Sequence, residues 1–308
     1  MKYNCIIFLF VGVLFASSPV LAQEYLFKIL ASNGENQLIR EGSGNKVTIG
    51  KQLLKGDKIV VANNGYLGMV HKSGKTIELK KAGTYSLSDL DGQVTAQNKG
   101  VCKKYIDFMV GEITTQDEDV NKNKYKYMAV TGSVERPAKP AIQTFLPKDA
   151  KVLKDKLELS WIPVEGEKTY IVTLTNLFQD TLFTQKVTGT SITIDLTKFA
   201  FEKDKIYQWT VEGAGHETDF SPRVIRAMEQ QEEKEISEEI KLVKAELKEE
   251  NALNKFVLAN IYAEKNLLIE AIAAYQAAIN LAPEVEAYKI AYGQFLEAKK
   301  LATVAEEK

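Results

Sequence analysis

Residues 252–285 constrain the fold of this 308-residue chain more than any other stretch. Small side chains at Ala259, Ala271 and Ala278 stand among the larger Leu258, Tyr262 and Tyr275, and Pro283 closes the segment. Two antiparallel helices can interlock this way, the small residues letting backbones approach while the large ones fill the gaps. A single pair of that kind cannot cover its own apolar face, so a neighbour must.

With residue 252 as the first position of a 34-residue unit, these seven residues fall where a tetratricopeptide repeat places its packing residues, and the segment resembles that family. The resemblance implies protein binding through the inner face of the first helix, where Leu253, Phe256, Asn260 and Ala263 would point. Asn260 stands where carboxylate-clamping members carry asparagine, but Phe256 replaces the basic residue of the preceding turn. An apolar, peptide-binding groove centred on Leu253 and Phe256 is one expectation. The other is that these two side chains simply receive the helix before them. Over 287–301, Tyr288, Ala291, Tyr292, Phe295 and Leu296 share one side of a further helix, half of a second unit. Upstream, 224–250 lacks glycine and proline, and Ile236, Ile240, Val243 and Leu247 form a narrow stripe expected to pack on the repeat. The charge run 232–239 is read as that helix's solvated face. Residues 224–308 are thus an all-α region.

The rest of the chain has a different texture. From 25 to 134, short β segments at 46–49, 58–62, 66–71 and 76–79 are separated by Gly50, Gly56-Asp57, Asn63-Asn64-Gly65 and Ser73-Gly74. In 76–80 apolar and polar residues alternate, as a half-buried strand requires. The succession of 53–59, 65–70 and 73–79 resembles the periplasmic FecR-type domain, in which a Gly-Asp turn leads into paired strands and a second glycine hairpin displays a strand ending in a residue like Leu79. Residues 1–4, before the apolar segment, do not read as that family's cytoplasmic sigma-factor-binding part, so an envelope-located β domain is expected without transmembrane signalling of that kind. Pro137, Pro140 and Pro147 mark 135–150 as a linker. Between 151 and 223, strands at 157–161, 170–175, 183–187, 191–196 and 207–211 follow at the spacing of a small sandwich. An early Trp161 and a later Tyr207-Gln208-Trp209 resemble a fibronectin type III domain, which implies Trp161 between the sheets and Tyr207 tying a corner. The expected architecture is two all-β domains followed by the helical region.

The first residues read as a secretory signal. Lys2 precedes the apolar run 5–16, then Ser17, Ser18, Pro19 and Val20-Leu21-Ala22 place cleavage after Ala22, within a 1–22 signal peptide. No later stretch reaches the roughly 20 apolar residues of a spanning helix, so no stable membrane span is expected after cleavage. The implied location is the periplasm, with the cell surface or secretion as other destinations. Cys102 is then the single remaining cysteine, which excludes an internal disulfide and reads as buried and inert.

Charge and chemistry exclude several classes. Forty Lys plus Arg against 41 Asp plus Glu give a net charge of -1, without the cationic excess that nucleic-acid binding needs. His71 and His216 are far apart in sequence and read as ordinary exposed or half-buried residues. The acidic run 117–123 fails as a calcium loop, since Lys122 and Met128 take its glycine and glutamate positions. No metal cluster, phosphate loop or nucleophile elbow is present, and no cofactor, metal site or enzymatic activity is expected. The expectation is a bacterial envelope scaffold or tether that binds envelope proteins or peptides through its helical region. A FecR-like sensor of envelope signals is the alternative.

Overall fold

The computed structural model describes residues 24–94, 102–106, 109, 141–153, 156–199, 201–202, 205–215 and 218–301. The signal peptide, the 117–123 run, His216, Pro137 and Pro140 lie outside these residues.

The chain opens with β1 (Phe27–Asn33), β2 (Gln37–Arg40), β3 (Ser43–Lys46), β4 (Gln52–Leu53), β5 (Lys58–Val61), β6 (Tyr66–His71), β7 (Thr76–Leu79) and β8 (Gly83–Ser86). They form two antiparallel sheets, ordered β4-β1-β6-β7 and β3-β2-β5-β8. Phe27, Ile29, Leu38, Leu53, Ile59, Leu67 and Met69 fill a common core. Asp57 fixes the Gly56-Asp57 turn by accepting the Leu54 amide at 2.7 Å and both prongs of Arg40 at 2.9 and 2.7 Å. Gly65 is dictated by crowding, because a Cβ there would meet Asn36 Oδ1 at 2.5 Å.

Two features depart from the sequence expectation for this region. The strand expected at 46–49 lies earlier, as β3 ends at Lys46. The region is also not purely β: α1 (Leu87–Gln93) follows β8, burying Leu87 and Leu90 three residues apart, and 102–106 are helical.

The second region comprises β9 (Asp149–Val152), β10 (Lys156–Ser160), β11 (Thr169–Asn176), β12 (Thr181–Thr188), β13 (Ser191–Asp195), β14 (Ile206–Gly213) and β15 (Arg223–Ala227). One sheet has the order β12-β11-β14-β15-β9, with β9 parallel to β15, and β10 pairs with β13. Trp161 is buried with its ring 5.3 Å from that of Tyr170. The Tyr207 hydroxyl accepts the Glu202 amide at 2.9 Å, and its ring stacks on Phe201 at 4.3 Å.

The helical region begins later than its composition suggests. Residues 223–227 form β15, whose Val-Ile pair favours a strand, and α2 (Gln230–Glu246) starts beyond it. Then come α3 (Ala252–Glu264), α4 (Leu268–Leu281) and α5 (Glu286–Ala298). Asn251 caps α3 by accepting the Asn254 amide at 2.8 Å. Ala259, Ala271 and Ala278 are fully buried between α3 and α4. The α2 charge run is only partly solvated, since Glu232 pairs with Lys151 at 3.0 Å and Glu239 with Lys265 at 2.5 Å. Cys102 is buried against α2, its amide donating to Glu246 at 3.1 Å.

In space the last part of the chain lies between the first two. α3 packs on β7 and α5 on β1, while α4 packs on β10 and β9. β6 is accordingly buried along its whole length: Leu67 and Met69 belong to the first core, and Tyr66 and Val70 to a second, shared with the helices.

Candidate functional site

The junction between the helices and the two β regions holds polar side chains paired across long stretches of sequence. At its first face, β7 presents Thr76, Glu78 and Lys80 on one side, by simple alternation. Glu78 Oε1 accepts the Leu253 amide at 2.6 Å and the Tyr66 hydroxyl at 2.7 Å, and Lys80 lies 2.9 Å from Oε2. A carboxylate here meets the exposed N–H groups and positive end of α3, a favourable arrangement. Tyr288 donates to Tyr66 over 2.6 Å, since the Tyr66 proton is directed at Glu78. Burial, first of all, pushes both phenols well above the ordinary tyrosine range. Thr76 donates to the Asn254 side chain and completes the row.

The four residues expected to line an apolar groove are reached from within the chain. Leu253 is fully buried, and it sits so close to β6 that a Cβ on Gly68 would stand 3.0 Å from its Cδ1. The Phe256 ring lies 4.8 Å from Tyr288 and 6.1 Å from Tyr275. Asn260 donates to the Phe256 carbonyl at 2.8 Å and accepts from Tyr275 at 3.1 Å. Ala263 is half-buried. The apolar face centred on Leu253 and Phe256 therefore meets β6, β7 and α5.

The second face is open. A cleft of about 150 Å³ lies between β10, α2, α3 and α4. Lys156 and Glu158 of β10, Lys244 of α2, Lys255 and Tyr262 of α3 and Glu270 of α4 line it, above a floor of alanines from α4. Lys244 Nζ sits 5.9 Å over the Tyr262 ring, and Lys255 lies 2.5 Å from Glu250. With Glu250 on Lys255, three ammonium groups stand against three carboxylates, so the cleft carries charges of both signs without an excess of either. Sequence reading missed this site because its residues come from four elements. The strand expected at 157–161 included Glu158, without saying what faces it.

A third cluster surrounds His71, which is buried rather than exposed. Its Nδ1 lies 2.8 Å from Ser73 Oγ, and its Nε2 lies 2.9 Å from Asp91 Oδ1. The arrangement has the parts of a hydrolytic triad, but Nδ1 also accepts the Ser73 backbone amide at 3.1 Å. That local bond makes the imidazole a lock that closes the β6–β7 hairpin and ties it to α1. Burial lowers the His71 pKa against the opposing pull of Asp91.

No family model and no curated protein matches the chain. Among the described residues no group of three or more His, Cys, Asp or Glu side chains could hold a metal ion, and no helix is long and apolar enough to cross a membrane.

Proposed function

We propose that the protein is a non-enzymatic, exported bacterial envelope scaffold or tether, in which a FecR-like β domain and a fibronectin-like sandwich are joined by a tetratricopeptide-like helical unit. The observation that carries this reading is the placement of α3, α4 and α5. Their apolar faces hold the two β regions together and leave a charged cleft beside them. The cleft, rather than the face at Leu253 and Phe256, is where a partner segment bearing charges of both signs would dock.

Affinity capture from envelope extract tests this, using the intact protein and a Lys156→Glu/Lys244→Glu/Lys255→Glu variant of unchanged circular dichroism. A partner held by the first and lost by the second is the expected result. Identical capture by both rules out the cleft, and a mature N-terminus other than Gln23 by mass spectrometry argues against export through the first 22 residues.

A further inference from the structure

Three arginines lie among the described residues, and two of them hold a carboxylate in the same way. Arg40 donates from Nε at 2.9 Å and from Nη2 at 2.7 Å to the two oxygens of Asp57. Arg226 donates from Nε at 3.0 Å and from Nη2 at 2.6 Å to those of Asp149. This side-on fork matches a planar guanidinium to a planar carboxylate. Arg223 is the exception. It is half-buried, and its Nε is fully buried with no hydrogen-bond partner among the described residues. Burial lowers its pKa, and no carboxylate pulls the other way.

Its neighbour is in the same condition. Trp209 stands directly opposite Arg223 in the β14–β15 ladder, so the two side chains share one side of the sheet, with Cβ atoms about 4.5–5.5 Å apart. The Trp209 indole N–H is also buried without an acceptor. Both side chains meet Phe220, whose ring centre lies 5.0 Å from that of Trp209 and 5.9 Å from the guanidinium carbon. Neither an indole nor a guanidinium accepts a hydrogen bond, so the pair cannot satisfy itself, and buried donors left without acceptors are costly. Ser221 and Pro222, which lead into Arg223, are exposed and put the mouth of the site at the surface.

We propose that Arg223 binds the carboxylate of an external ligand, side-on through Nε and Nη2, with the Trp209 indole as a neighbouring donor and Phe220 as an apolar wall. Water offers acceptors but leaves the half-buried charge without a counterpart. A carboxylate supplies both, as Asp57 and Asp149 do for the other two arginines. Arg223 does not line the cleft between β10 and the helices, so this site is a second one. The carboxylate belongs either to a small free acid or to the end of a peptide chain, which present the same planar group.

The two indole N–H resonances of the isotope-labelled protein test the site, Trp209→Phe identifying the Trp209 signal and Trp161 serving as the control for folding. Sodium acetate is expected to shift the Trp209 signal along a saturating curve in the millimolar range, and sodium chloride at equal ionic strength is not. Arg223→Lys keeps the charge but loses the fork, and Arg223→Gln loses both; each weakens acetate binding on the order of tenfold or more while the Trp161 signal stays in place. Acetyl-glycyl-glycine and its amide separate the two sources. Binding of this peptide acid more tightly than acetate assigns the site to a chain terminus, equal or weaker binding assigns it to a small free acid, and the amide binds in neither case. A shift that never saturates, a chloride response equal to that of acetate, binding of the amide, or unchanged affinity in either arginine variant overturns the proposal and leaves Arg223 as a side chain that only packs on Phe220.

Discussion

Replacing Glu78 by alanine tests whether this side chain joins the first β region to α3. The carboxylate is 8% exposed and accepts from Leu253 N at 2.6 Å and Tyr66 Oη at 2.7 Å. Two hydrogen bonds to a charged acceptor contribute roughly 1.5–3 kcal/mol each, and the helix terminus adds up to about 1 kcal/mol. Removing the carboxylate also recovers part of the cost of burying it, leaving a net loss of about 3 kcal/mol. Glu78→Gln keeps one acceptor oxygen and loses about 1–2 kcal/mol. Hydrogen exchange at the Leu253 amide reads the junction directly: it accelerates roughly a hundredfold in Glu78→Ala, whereas amides of the β2-β5 pair, inside the first core, change little. The reasoning fails if Leu253 exchanges at the native rate in Glu78→Ala, or if the alanine and glutamine variants are indistinguishable.

Packing at the same junction predicts that Gly68→Ala, whose Cβ would stand 3.0 Å from Leu253 Cδ1, costs about 1 kcal/mol, and Gly68→Val about 1–3 kcal/mol. Adding Leu253→Ala relieves the clash, so a double-mutant cycle in urea gives a non-zero coupling. Acid weakens the fold in two stages. Burial lowers the His71 pKa in the folded protein, so its stabilising contribution is complete above about pH 6.5 and is lost as pH falls from there through the lower folded value. Burial opposes ionisation of Asp57, but Arg40 and the Leu54 amide outweigh it and hold its carboxyl below the ordinary range; its contribution disappears below about pH 4. Urea midpoints measured against pH show both stages, and His71→Asn removes the first. Burial, reinforced by Glu246, pushes the Cys102 thiol up, so a thiol reagent labels it at the rate at which α2 opens, with little acceleration between neutral and mildly alkaline pH.

Local patterns carried much of this fold, and their limits are equally local. The helix pair was legible because Ala259, Ala271 and Ala278 interlock within one short segment. The alternation of 76–80 assigned Glu78 to the side away from Leu79, yet a period of two says nothing about what covers that side. The mate of Glu78 is the Leu253 amide, 175 residues away. β6 defeats alternation altogether, since both of its faces are buried. α1 left little trace because seven residues with two buried leucines hardly differ from a turn. At 224 a charged, glycine-free composition spread over a strand that Val224 and Ile225 alone declare. The open cleft has no linear signature, as Lys156, Lys244, Lys255 and Glu270 meet only after four elements are in place.

Tyr66 and Tyr288, in contact through their hydroxyls, are 222 residues apart. As the chain is made, the first β region therefore waits with Leu30, Tyr66 and Val70 uncovered until the final helix arrives. Closure of the junction acts as a check on completion, since a product truncated before α5 can form its early sheets but keeps an adhesive face. Such a fragment lacks the buried Tyr288, Tyr292, Phe295 and Leu296 together, and the surface they would cover stays open to aggregation.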